Sequence, residues 1–345
     1  MKYKFLCSLI LLSFTLLIGC KKDEQKILRI YTWTDYIDPK FVEQFEKENN
    51  CKVVIDTFDS NETMFSKLMI DNCNYDICCP TEYYIPILKN AELIEKLDTT
   101  KLINVINNFD PRFLNKLERL EYHIPYAVSC TGIIYRKDIY PNITIKDWND
   151  IFSNKFKNKI YILDDIREII GLALKQNNFS VNSTKIKELS IAIETAKDWK
   201  NKCQLMDNEA YKNKIINNDL DLAMCYSSDA IQIIINNQDK FDFIIPDCGT
   251  TVSVDTFVIL KQSKNKDLAY KFLDTLYKKE NAAKNSEYIG SPMLIYNLSS
   301  LLSEKYKNNK YMNFTDEMIK KYENILDIGN NLFLYNKAWD EIKNN

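Results

Sequence analysis

The chain alternates between runs patterned for strands and runs patterned for helices. Residues 27 to 32 form an apolar strand-like run, and Asp38-Pro39 then caps and opens a helix whose Phe41, Val42 and Phe45 share one face. Lys52 to Phe58 is a second strand, and Ser60-Asn61-Glu62 opens a helix that turns Met64, Phe65 and Leu68 inward. A third strand lies in the stretch YDICCP from Tyr75. In the second half, Ile160 to Leu163 reads as a strand ending at Asp164-Asp165, followed by a helix carrying Ile169, Ile170 and Leu174. Leu220 to Met224, Phe243 to Pro246 and Thr256 to Leu260 are further strands, and Asp316 to Lys343 is expected to be helical. Such alternation predicts an α/β fold on open, largely parallel sheets, with a ligand crevice beyond the carboxyl ends of the strands.

The first twenty residues obey a different rule. Lys2 and Lys4 precede an apolar stretch from Phe5 to Ile18, too short for a spanning helix, which ends in Leu17-Ile18-Gly19-Cys20. This pattern resembles a bacterial lipoprotein signal, in which residues 1–19 are removed and Cys20 carries the lipid. Losing those nineteen residues, which hold two lysines and no acid, takes the formal charge of the 345-residue chain from −2 to −4. The body would then meet the membrane through its lipid alone, in the periplasm or at the cell surface, and a monomer is expected.

At 46% hydrophobic and 27% charged residues the composition is that of a globular protein, and the length suits two domains. The near-neutral charge supplies no basic stripe to displace phosphate counterions, which argues against nucleic acid. Ten cysteines invite a metal reading, but Cys7 lies in the leader, Cys20 takes lipid, and the one cluster, Cys73, Cys78 and Cys79, lacks the paired Cys-x2-Cys spacing of zinc sites. Ile77-Cys78-Cys79 reads as a buried strand whose two thiols point to opposite faces. No metal or cofactor is expected.

Chemistry gathers where strands end. Trp33 and Tyr36 follow the first strand, Thr81, Tyr83 and Tyr84 the third, and Asp165 with Glu168 the strand at 160. The last two stand three apart at a helix start, so both carboxylates share a face. Tyr226 and Asp229 follow the strand at 220, and Asp255 sits beside a later one. Singly, each could be a core aromatic or a helix cap. Together they suit an organic cation: aromatic faces attract one by about 0.5 to 2 kcal/mol each, and carboxylates accept strong hydrogen bonds from ammonium groups. Buried together, the acids Asp165, Glu168, Asp229 and Asp255 would repel one another unless a polycation joined them.

Several stretches resemble the polyamine-binding component of spermidine and putrescine ABC importers, members of the two-lobed periplasmic binding protein superfamily. They are YTWTDYIDPKFVEQFEKE from 31, DSNETMFSKL from 59, YDICCPTEYY from 75, IPYAVSCTGIIYR from 124, DWNDIF from 147, LDDIREI from 163 and VDTFVI from 254. The resemblance implies a type II fold with a ligand cleft at the hinge, each lobe a mixed or mostly parallel sheet flanked by helices. One lobe would hold residues 27–131 and 251–298, the other 132–250 and 299–345. It implies ligand contacts from Trp33, Thr34, Tyr36, Thr81, Tyr83, Asp165, Glu168, Tyr226, Asp229 and Asp255, with Asp35, Ser253 and Ser291 as further lining. Ser253 and Ser291 stand where the family usually has aromatics, and Tyr226 where it usually has Trp. An inner-membrane permease would be the protein partner.

Three rivals remain at this stage. A glycoside hydrolase also needs paired carboxylates and aromatic platforms, but the chain has a single histidine, His123, more suited to structure than to catalysis, and no nucleophile elbow, phosphate loop or His-Glu-x-x-His. A sensor of the same fold would bind without feeding transport. Another cation, such as agmatine, cadaverine or a cationic amino acid, would use the same carboxylates.

Overall fold

A computed structural model of the chain describes residues 25–70, 73–111, 120–153, 156, 160–313 and 322–344. The expected leader 1–19 and Cys20 lie outside these residues, as does part of the expected C-terminal helix.

Ten strands are described: β1 (Lys26–Trp33), β2 (Cys51–Phe58), β3 (Ile77–Cys78), β4 (Ile124–Arg136), β5 (Ile160–Ile162), β6 (Leu205–Met206), β7 (Leu222–Tyr226), β8 (Phe241–Ile244), β9 (Thr251–Ile259) and β10 (Glu323–Asn324). They join in the order β2-β1-β3-β9-β4-β7-β5-β6, with β10 beside β9 and β8 beside β4. Towards one end β1 pairs in parallel with β2 and β3, and towards the other β5 pairs in parallel with β6 and β7. The middle is antiparallel, which makes the array mixed rather than largely parallel. There β4 runs beside β9 from Ile124↔Phe257 to Cys130↔Val252, then takes β7 at Thr131↔Tyr226 and β8 at Ile133↔Ile244. β4 thus changes partner between Cys130 and Thr131.

Both faces of this middle are covered: all of β4 except Arg136 is buried. Just past the change of partner, Gly132 lies against the Phe243 ring, where an added Cβ would meet Cζ at 2.2 Å. Only glycine allows that approach.

The expected helix starts form by side-chain capping. Asp38 accepts from the Lys40 amide ahead of helix Pro39–Asn49, and Ser60 from the Thr63 amide ahead of helix Asn61–Leu68. Cys78 and Cys79 are fully buried and pack into different apolar clusters, as alternation on a strand requires. All eight described cysteines are free thiols, and no group of three metal-ligating side chains occurs among the described residues.

Several boundaries differ from expectation, among them the start of β9, which begins at Thr251 rather than Thr256. β7 starts at Leu222 rather than Leu220, after a turn in which Asn218 takes a positive φ of 68°. β8 ends before Pro246, which has no amide to donate. Among the described residues the C-terminal helix begins at Leu332 and runs over Leu332–Asn344, and Glu323–Asn324, expected within it, is a strand beside Thr251 and Val252.

Candidate ligand-binding cleft

The loops after β1, β3, β5 and β7 and the first half of β9 open onto one cavity of about 800 Å³, its mouth included. Trp33, Thr34, Asp35, Tyr36, Thr81, Tyr83, Asp165, Glu168, Tyr226, Asp229, Ser253 and Asp255 all line it. Ser291 does not: it is fully buried, and its hydroxyl donates to the Val128 carbonyl at 2.7 Å. A small hydroxyl can settle against β4 in this way, whereas a ring would have to project elsewhere. Tyr84 and His123 also lie outside the lining, Tyr84 in the core and His123 with Nε2 3.6 Å from Glu82 Oε1.

One wall is built around Asp255. Its Oδ1 accepts from Thr81 Oγ1 at 2.8 Å and its Oδ2 from the Tyr36 hydroxyl in a short contact. Thr81 is held in turn, since its amide donates to Asn61 Oδ1 at 3.0 Å and Asn61 Nδ2 reaches the Thr81 and Tyr83 hydroxyls. Tyr36 is fixed through its carbonyl, which accepts from the Tyr126 hydroxyl at 2.7 Å. Trp33, the last residue of β1, sets its ring edgewise to Phe58 at 4.4 Å. Burial pushes the Asp255 carboxyl up to about 6; the Tyr36 and Thr81 hydroxyls pull it back, and the Asp165 charge raises it further.

The opposite wall begins at helix Ile166–Gln176. Asp165 caps it, its Oδ1 accepting from the Arg167 and Glu168 amides at 2.9 and 3.0 Å, while its Oδ2 accepts from the Tyr226 hydroxyl at 3.2 Å. Glu168, one turn in and 2% exposed, points at the crossing strands. Its Oε2 accepts from Thr131 on β4 at 2.8 Å and from Thr251 on β9 at 2.5 Å. Burial, then the neighbouring Asp165 charge, raises Glu168 to about 7. Burial also raises Asp165, against the pull of the amides that it caps.

Two cations in the lining escaped the sequence reading. Arg167 is 1% exposed and stacks over Tyr83 at 5.0 Å and Tyr335 at 4.9 Å, with Nη1 donating to the Leu326 carbonyl and Nη2 to Asn182 Oδ1. Lys212, on helix Ala210–Ile216, forms ion pairs with Asp229 at 3.1 Å and Glu209 at 3.0 Å. Burial pulls the Lys212 ammonium down, and these two carboxylates more than restore it. Asp229 also accepts from the Tyr211 hydroxyl. So the expected set of four uncompensated acids is incomplete: Asp229 already has a cation. The local signal for Arg167 was its place between Asp165 and Glu168; for Lys212 there was none. The lining still holds seven carboxylates against two cations, with Asp35, Asp59 and Glu209 at its edges.

Compared with known proteins, residues 40–313 match the family model for bacterial extracellular solute-binding proteins. The spermidine/putrescine-binding periplasmic protein of Salmonella typhimurium is 30% identical over 319 residues, 92% of this chain and 91% of the relative. A solved structure described as a putative spermidine/putrescine ABC transporter from Listeria monocytogenes superposes with a TM-score of 0.85 at 33% identity, covering 92% of this chain and 99% of its own. A lipoprotein of Treponema pallidum gives a TM-score of 0.81 at 26% identity over 92% of this chain and 99% of its own. The fold is that of the two-lobed periplasmic binding proteins, whose role is to bind a solute rather than to turn it over. By the span of the family match and by the full-length relative, this chain belongs to the bacterial extracellular solute-binding protein family.

Proposed function

We propose that this protein is the polyamine-binding component of an ABC importer, a lipoprotein anchored through Cys20 that takes putrescine or spermidine between two closing lobes. The observation that carries the reading is the cavity lining itself, seven carboxylates against two cations, with Trp33, Tyr36, Tyr83 and Tyr226 beside them. A linear polyamine brings ammonium groups for the acids and methylenes for the rings. The names of the Salmonella and Listeria relatives support the ligand class, and the Treponema lipoprotein supports the anchor.

In this reading the lobes comprise residues 27–131 with 251–298 and 132–250 with 299–345, and the hinge lies where β4 changes partner from β9 to β7 and where β9 begins at Thr251. Asp255 and Asp165 accept ligand ammonium groups from opposite walls, Glu168 does so beside the hinge, and Trp33, Tyr36, Tyr83 and Tyr226 form the aromatic sides. Thr34, Thr81, Asp35 and Ser253 complete the lining. The closed form is what the permease reads, and the protein acts as a monomer.

Isothermal calorimetry of residues 21–345 against putrescine, spermidine, cadaverine, agmatine, lysine and a neutral sugar tests the proposal. Micromolar or tighter binding of a linear polyamine is expected, with none of the sugar. Tight binding of the sugar, or of none of the amines, would overturn it.

A further inference from the structure

We propose that Lys212 is a built-in ammonium that occupies one amine seat of the cleft and so limits the length of polyamine the protein accepts; this rests on the polyamine reading above. The acids of the cleft fall into two groups by the chemistry of their partners. Asp255, Asp165 and Glu168 are held by neutral donors, namely the hydroxyls of Tyr36, Thr81, Tyr226, Thr131 and Thr251 and two backbone amides. Such donors orient a carboxylate and leave its charge for a ligand. Asp229 differs, because Lys212 Nζ lies 3.1 Å from its Oδ1 and 3.0 Å from Glu209 Oε2.

The geometry is that of a bound primary amine, supplied by the chain. Lys212 reaches in from helix Ala210–Ile216, while Asp229 stands in the first turn of helix Ser227–Ile235, and both side chains line the same cavity as Asp255. A second ammonium brought to Asp229 would meet Lys212 at close range and be repelled. A diamine can satisfy itself on the first group of acids. A triamine has a further charge, and Lys212 keeps Asp229 from receiving it. Lys212 thus works by rejection, setting specificity through a repulsive element rather than an added contact.

The test is the ratio of spermidine to putrescine affinity, measured by calorimetry on the mature protein at fixed salt. Lys212→Met and Lys212→Gln are each expected to raise that ratio at least tenfold, equivalent to about 1.4 kcal/mol. Lys212→Arg, which keeps the charge, should leave the ratio at the wild-type value. Adding Asp229→Asn to Lys212→Met should abolish the gain, because the vacated seat is then no longer anionic. An unchanged or lowered ratio in both Lys212→Met and Lys212→Gln overturns the inference while wild-type polyamine binding keeps the underlying reading intact. So does a gain that survives Asp229→Asn. A folded wild-type protein that binds neither amine overturns the reading beneath it as well.

Discussion

Asp255 and Glu168 show at the scale of single residues how a binding site can be costly to its own empty protein. Each is buried among donors that orient it, and each titrates well above its ordinary value, Asp255 at about 6 and Glu168 at about 7. Unfolding returns them to ordinary values of 3.8 and 4.5. Below those values both states are protonated and nothing is lost. Between them and the folded values the unfolded chain gives up its protons first, so stability falls as pH rises, and the cost is complete above about 7. The empty protein should therefore melt at a lower temperature at pH 8 than at pH 6, followed by circular dichroism. A cationic ligand needs the ionised forms, so affinity should rise over the same interval and binding at pH 6.5 should release protons, read by calorimetry in buffers of different ionisation enthalpy. Asp255→Asn and Glu168→Gln should each weaken polyamine binding more than tenfold, a loss of about 1.4 kcal/mol. Retained affinity in both would remove the site from these residues.

Among the elements, β4 and β9 do most to position the cleft, and they were only partly visible in the sequence. Asp38-Pro39 and Ser60 announced their helices because a side chain capping the next few amides is a local event, and β1 and β2 showed as apolar runs for the same reason. The first half of β9 was missed because Thr251, Val252 and Ser253 mix hydroxyls with a single aliphatic, and their extended form is set by pairing with β4. Most of the strand-end aromatics and acids could be read as lining, since successive strands deliver them to one crevice. The partnership of Lys212 with Asp229 could not, because it depends on how two separate helices pack. Nor could the burial of Ser291, which follows from the turn at Gly290 (φ 65°) after helix Lys279–Ile289. Gly132 gives the element-scale prediction. Gly132→Ala would drive a methyl into the Phe243 ring, costing roughly 1–3 kcal/mol of unfolding free energy as overpacking does, measured by urea denaturation. Phe243→Leu in the same chain should recover part of the loss, and an unaltered midpoint for Gly132→Ala alone would mean that the strands separate freely there.

For the whole molecule the question is what holds the two halves together over the cleft. Arg167 reaches across from the Asp165 wall to the Tyr83 ring, Asn208 Nδ2 comes within 3.5 Å of the Asp59 carbonyl, and Gln232 Nε2 donates to the Tyr288 carbonyl at 3.2 Å. Asp255 belongs to one wall and Asp165 with Glu168 to the other, so a ligand touching both adds a bond that exists only when the cleft is shut. A ligand moves such an equilibrium only by its differential affinity for the two states. Shifting it from 1:99 to 99:1 takes about 5.5 kcal/mol, less than the about 8.2 kcal/mol that corresponds to micromolar binding. A micromolar polyamine therefore closes an empty protein that strongly favours the open form only if about 5.5 kcal/mol of its affinity comes from contacts made in the closed state alone. Small-angle X-ray scattering should accordingly show a smaller radius of gyration on saturation with the ligand, and for Asp255→Asn the same contraction should need a ligand concentration more than tenfold higher. Micromolar binding with no contraction would mean that the halves are already fixed, and recognition by a permease would then have to rest on the ligand or on local loops instead of on domain closure.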